Sequence, residues 1–167
     1  LASFRPLPHR LQPLGAHDGW HWVNDSISTT PLATLAALES LHGRTVTVLV
    51  GGHDRGLDWT PFVDAMRHAP ANAIICMGSN GARIENALRV AEVTCPILLV
   101  DDLASAVETA KTHTPENGVI LLSPGAPSFD QFKDYAERGR RFSALAGFDA
   151  ANIASIDGLG IEGSPRD

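Results

Sequence analysis

Positive charge is scarce in this chain: 13 Lys and Arg stand against 19 Asp and Glu, a formal net charge of −6. That balance excludes a nucleic-acid surface and a polybasic membrane patch, while leaving room for a local cationic cluster. Long apolar runs are missing as well. Nothing approaches the roughly 20 consecutive residues a transmembrane helix needs, so no membrane insertion is expected. There are only two cysteines, Cys76 and Cys95, both in or beside apolar segments without metal-ligand spacing. They read as reduced thiols in a cytoplasmic protein. His17 and His21 are four apart, but Gly19 between them favours a turn over a helical ligand pair, and no metal site is expected. The nucleotide signatures are absent too. The "GGHDRG" at 51–56 is not the GxxxxGK[ST] of a P-loop, and no GxGxxG follows a strand. Any nucleotide bound here needs its phosphates held by another domain.

What is present is ordinary globular material: 44% hydrophobic and 19% charged over 167 residues, enough for one core. The opening "LASFRPLPHR" has no signal-peptide pattern and reads as a chain entered partway along, an excised domain. Short apolar runs at Trp20–Asn24, Thr45–Val50, Ala73–Met77, Ile97–Val100 and Val119–Leu122 alternate with helical patterns. The last four are nearly continuous in apolar residues, as strands buried on both faces of a parallel sheet are. Helices are expected at Pro31–His42, Pro61–His68, Gly81–Val90, Leu103–His113 and from Phe129 to about Gly147. The first of these carries Leu32, Leu35, Leu38 and Leu41 as its apolar stripe, with Thr30 as N-cap and Gly43 as stop. Ser128 and Gln131 fit a capping box for the last. The alternation predicts an α/β fold with a doubly wound, mostly parallel open sheet. The domain is expected at 20–148, with a linker and edge segment at 1–19 turning near Asp18-Gly19, and a Gly-rich flexible tail at 149–167.

Such sheets bind ligands beyond the carboxyl ends of their strands. Three strand ends carry polar, turn-forming clusters: Asn24–Thr30, Gly51–Gly56 and Ser123–Ser128. All three would open on one edge. Asp25 lies too far ahead of its helix to cap it, which favours a ligand role. Ser26, Ser28 and Thr29 fit either ligand contact or ties within the loop. Arg55 suits an anion or a solvated position equally. Ser128 suits a cap, and a helix amino end also favours an anion.

These clusters, in this order, resemble the C-terminal domain of the Mur ligases, and among them the glutamate-adding MurD type. The matching stretches are "SFRPLPHR" (3–10), "WVNDS" (22–26), "VLVGGHDRGLDW" (48–59) and "LLSPGAPSFDQFKDYAERGRRF" (121–142). The resemblance implies a Rossmann-like third domain of a cytoplasmic, ATP-dependent ligase of bacterial peptidoglycan synthesis. Its partners would be the N-terminal and central domains of the same ligase, UDP-N-acetylmuramoyl-L-alanine, glutamate and ATP, with the ATP phosphates and Mg2+ held mainly by the central domain. It places Arg10, Asn24 and Asp25 at ATP, the last accepting the ribose hydroxyls. It places Thr29, Arg55, Ser128, Phe129 and Tyr135 at glutamate or the muramoyl substrate, and no catalytic residue in this domain alone. Three positions depart from the usual pattern. Ile27 replaces a lysine of "NDSKAT", Arg55 replaces a glutamate-binding lysine, and Tyr135 replaces a phenylalanine. Together with "NDSISTTP" these changes resemble the subgroup that adds L-glutamate; the ordinary D-glutamate enzyme is the alternative. A stand-alone module for a nucleotide or an acidic metabolite is the competitor from another class, and a non-catalytic interaction domain a third.

Overall fold

The structure, a computed structural model, describes residues 7–148. The strands are β1 (Gln12–His17), β2 (Trp20–Asn24), β3 (Val46–Val50), β4 (Ala73–Cys76), β5 (Ile97–Leu99) and β6 (Val119–Leu122). Between and after them lie α1 (Pro31–Ser40), α2 (Thr60–His68), α3 (Gly81–Val90), α4 (Leu103–His113) and α5 (Tyr135–Leu145). The six strands form one sheet in the order β1-β2-β6-β3-β4-β5. All neighbouring pairs are parallel except β1 and β2, which form an antiparallel hairpin.

The α/β, mostly parallel reading holds, and the five expected strands all form. The segment expected as linker and edge contains a strand the composition did not reveal. Gln12–His17 pairs with β2 around a turn at Asp18 and Gly19, which both have positive φ. A proline, a glycine and a register irregularity between Pro13 and Gly15 hide its alternation. The expected tail at 149–167 lies outside the described residues.

Alternation along each strand builds two cores. Val48, Val50, Ile74, Cys76 and Leu121 face α1, α2 and α3 through Ala37, Phe62, Met66, Ile84 and Leu88. Leu49, Ile75, Ile120, Leu122 and Trp22 face α4 and α5 through Val107, Ala110 and Phe142. The chain thus runs outward to β5 with its helices on one face, then returns over the other to insert β6 between β2 and β3. Neighbouring strands whose following helices leave to opposite faces open a crevice at their carboxyl ends. Here that point is β2-β6-β3. Both cysteines are free; burial pushes the Cys76 thiol up to about 12, far from thiolate chemistry.

Two helix expectations need correction. On α1 the innermost residues are Pro31, Thr34 and Ala37, while Leu32 is 64% exposed and Leu35, Leu38 and Leu41 are only partly buried. The helix is turned so that the Thr34 hydroxyl reaches the Ser123 carbonyl at 2.9 Å. The last helix begins at Tyr135, not Phe129. Its cap is Asp134, which accepts from the Glu137 amide, while Glu137 Oε1 accepts from the Lys133 amide. Ser128 instead closes a single turn, its carbonyl accepting from the Gln131 and Phe132 amides. Side chains there are drawn away from a helical ladder: Asp130 accepts from the Ser79 amide and Gln131 donates to the Asp101 carbonyl.

Glycines set how closely the strand-end loops approach. A Cβ on Gly51, whose φ is +107°, would lie 2.0 Å from the Met77 carbonyl oxygen, and one on Gly52 would lie 2.5 Å from that of Pro127. Both obstacles are backbone and cannot swing aside. Gly51→Ala is therefore expected to lower the unfolding free energy by about 2 kcal/mol or more in a urea melt, through overpacking and left-handed strain. A change within error would show that the loops stand further apart than described.

Candidate functional site

Four loops meet at the carboxyl rim of the sheet: Asn24–Thr30 after β2, Gly51–Asp58 after β3, Met77–Asn80 after β4 and Ser123–Asp134 after β6. They are joined by backbone bonds that cross from loop to loop. Gly51 donates to Pro124, His53 to Pro127, Gly125 to Ser28 and Asn80 to Gly52, at 2.8–3.1 Å. The loops that carry Asp25, Arg55 and Ser128 therefore share one edge of the sheet. The fourth loop was overlooked in the sequence, although "GSNG" after an apolar strand carries the same turn signal as the other three.

The hydroxyls after β2 divide into ties and free groups. Asn24 accepts from the Ser26 amide and donates to His9 Nδ1 at 2.8 Å, so both ends of its amide face the protein. Thr30 caps α1 as expected, accepting from the Ala33 amide. Ser28 lies 3.3 Å from the Thr34 hydroxyl. Ser26 is the hub. Its hydroxyl donates to the Tyr135 carbonyl and accepts from Arg138 Nε, and its carbonyl accepts from Arg138 Nη2. Arg138 also donates from Nη1 to the Ala126 carbonyl at 2.9 Å. That guanidinium is 2% exposed. Burial pulls it down to about 10, with Asp130 acting weakly the other way. Its importance was not legible in "ERGRRF", where three arginines look alike.

Asp25 is 4% exposed, with Oδ1 accepting from the Leu11 amide at 2.9 Å and Oδ2 from the Ser123 hydroxyl at 2.7 Å. An ionised carboxylate has about four acceptor sites, so two remain. Burial raises its pKa above the ordinary value, opposed by the Ser123 and Leu11 bonds and by the charge of Arg10. Arg10 itself is exposed beside it.

On the other side of the rim, Arg55 is exposed and makes no ion pair with any described residue. Phe129 is exposed against the His53 ring, with centroids 6.2 Å apart, and Tyr135 stands edge-on to His9. Ser128 is 2% exposed, and no described residue hydrogen-bonds its hydroxyl. Thr29 is half-buried. The rim thus offers exposed cations at Arg55, Arg10 and Lys133, two open aromatic rings and a recessed hydroxyl. Among the described residues no three His, Cys, Asp or Glu side chains gather in a way that could hold a metal ion. The glycine-lined backbone of Gly51 and Gly52 is already packed against neighbouring carbonyls, so it is no phosphate cradle. A cavity of about 430 Å3 lies at the opposite edge of the sheet, lined by His42, Arg44 and Asn72 among others. It is away from the strand ends where a doubly wound sheet gathers its loops, and we place the functional site at the carboxyl rim.

The profile of the family described as "Mur ligase, glutamate ligase domain" matches residues 9–125. The chain belongs to that family. It is 53% identical over 163 residues to the UDP-N-acetylmuramoyl-L-alanine–L-glutamate ligase of Xanthomonas axonopodis pv. citri, covering 96% of this chain and 35% of the relative. The ligase of the same name from Xylella fastidiosa strain Temecula1 is 52% identical over 162 residues, covering 95% and 35%. That of Salinispora tropica is 40% identical over 144 residues, covering 86% and 32%. The chain thus spans about a third of the length of these curated relatives. Among solved structures, the UDP-N-acetylmuramate–alanine ligase MurC of Thermotoga maritima matches with a TM-score of 0.54 at 20% identity, over 84% of this chain and 30% of that one. That likeness speaks to the fold.

Asp25 supplies a sharp test of the rim's interior. Its pKa is raised on folding, so between 3.8 and the folded value the native state holds a proton that the unfolded chain has released. Asp25 thus makes stability fall as pH rises through that window. The lowered groups Asp54, Asp58 and Asp102 act oppositely, losing their contribution as pH falls below 3.8. In paired urea melts across pH 3–7, wild-type stability minus that of Asp25→Asn is expected to decline with rising pH. A flat difference would mean the carboxyl is not desolvated.

Proposed function

We propose that this chain is the amino-acid-binding, ATP-closing C-terminal domain of a cytoplasmic ligase joining L-glutamate to UDP-N-acetylmuramoyl-L-alanine in peptidoglycan synthesis. The observation that carries the reading is that the exposed Arg55 and the Ser128 hydroxyl, neither of them bonded to any described residue, stand on loops of the same rim. A guanidinium fork and a hydroxyl are the donors a dicarboxylate amino acid requires. Family membership and the names of the relatives support the reaction class and the amino acid. No helix among the described residues is long and apolar enough to cross a membrane.

In this reading the γ-phosphoryl group of ATP passes to the muramoyl-alanine carboxylate, giving an acyl phosphate and ADP. The glutamate amine then attacks the acyl carbon, forming the amide and releasing phosphate and a proton. Mg2+ would be held mainly by residues outside this chain and would supply neutralisation of phosphate charge when bound. This domain's residues bind and orient. Arg55 takes one glutamate carboxylate, and Ser128 and Thr29 donate to the other. Phe129 and Tyr135 close the apolar wall and exclude water. The two unused acceptor sites of Asp25 take ribose hydroxyls, with Arg10 beside it toward the phosphates. Asn24 serves by shaping its own loop. The L-enantiomer is favoured by the loss of the lysine at Ile27 and the widening of the cation at Arg55. Mirror-image amino acids present amine and carboxylates in a different order, and cationic partners must change with them.

In a full-length ligase carrying this domain, phosphate release is expected with L-glutamate and not D-glutamate. Arg55→Ala should raise the L-glutamate KM by about 10- to 100-fold, the cost of a lost charge-assisted bond. Equal turnover of both enantiomers would remove the stereochemical claim. An unchanged glutamate KM in Arg55→Ala would remove Arg55 from the subsite. Tight ATP or glutamate binding by this chain alone would favour the stand-alone module instead.

A further inference from the structure

Arg55 has a carboxylate as its chain neighbour, yet the two do not pair. Asp54 is held from the other direction. Arg83, in the first turn of α3, grips it with Nη2 to Oδ1 at 2.8 Å and Nε to Oδ2 at 3.3 Å, and its Nη1 reaches the Leu57 carbonyl at 3.2 Å. The Gly56 amide donates to Asp54 Oδ1 at 2.9 Å, and the Asp54 amide donates to Ser79 Oγ at 3.1 Å. The Ser79 hydroxyl in turn donates to the Gly52 carbonyl at 3.1 Å. Both flanks of Arg55 are thus tied to α3 and the loop before it, while the Arg55 head stays open. The Asp54 carboxyl lies below the ordinary range, chiefly through its Arg83 bond.

We infer that Arg83 is a positioning residue for the amino-acid subsite: its two-pronged pair with Asp54 fixes the Arg55 loop and withholds the Asp54 carboxylate from Arg55, leaving that guanidinium for a substrate carboxylate. The inference rests on the reading of Arg55 given above. Arg83 and Asp54 have side chains 43% and 37% exposed, so the pair itself adds little to folding stability. Its effect is local. Freed from Arg83, an exposed Asp54 has a competing cation one residue away. The arrangement makes the affinity of Arg55 for a carboxylate depend on a residue that touches no substrate.

The test is steady-state kinetics of the full-length ligase with L-glutamate and ATP varied separately. Arg83→Ala is expected to raise the glutamate KM about fivefold, the scale of one exposed ion pair, with kcat and the ATP KM nearly unchanged. Arg83→Lys should recover part of the loss, since a single ammonium keeps the charge without the fork. The decisive variant is Arg83→Ala with Asp54→Asn, which removes the competing carboxylate and should bring the glutamate KM back toward wild type. An unchanged glutamate KM in Arg83→Ala, equal losses toward ATP and in kcat, or no recovery in the double variant overturns the inference while leaving Arg55 in place. If Arg55→Ala also leaves the glutamate KM unchanged, the subsite reading fails first and this inference with it.

Discussion

A single buried guanidinium holds the carboxyl rim of the sheet together. Arg138 joins the loop after β2, through Ser26, to the loop after β6, through Ala126, and does so from α5. A charge removed from water must find strong partners, and this one finds carbonyl and hydroxyl oxygens rather than a paired carboxylate. The consequence is specificity of shape. Carbonyls point inward only if each loop takes one conformation, and a planar fork accepts few alternatives. A lysine there would supply one point of attachment where the structure uses three.

Topology explains why a single residue can reach so much. Because β6 is inserted between β2 and β3, its loop lies against both neighbours. Glycines then let backbones touch: Gly51, Gly52 and Gly78 each face another loop closer than any Cβ would permit. The result is a platform whose loops are bonded to one another through their backbones. Side chains projecting from it, Arg55 and Phe129 among them, are left to meet something else. Loops ordered before binding spare an ordering cost on binding, which suits the closing role proposed for this domain.

The sequence was legible where hydrophobic patterning decides structure. Strands β3 to β6 read directly from nearly continuous apolar runs and β2 from a shorter mixed one, and the common edge of their loops follows from a parallel sheet. It was misleading where two local signals compete. "SFDQ" and "DYAE" are both acceptable helix starts, and only the pull of Ser79 on Asp130 and of Asp101 on Gln131 selects the second. The leucine stripe of α1 was misread because Thr34, a polar residue, is drawn inward by the Ser123 carbonyl. Long-range polar ties of this kind have no periodicity. For the same reason Arg138 and Arg83 could not be told from Arg140 or Arg89 by pattern, although they do different work.

Because Arg138 ties its loops, the rim moves as one body. Native-state amide exchange reads this directly. The cross-loop donors His53, Gly125 and Gly51 should exchange as slowly as the β6 amides in the wild-type chain. In Arg138→Met they should exchange much faster while amides of β4 keep their protection. Rim amides that exchange fast in the wild type, or that are indifferent to the substitution, would show that Arg138 does not tie the loops into one body.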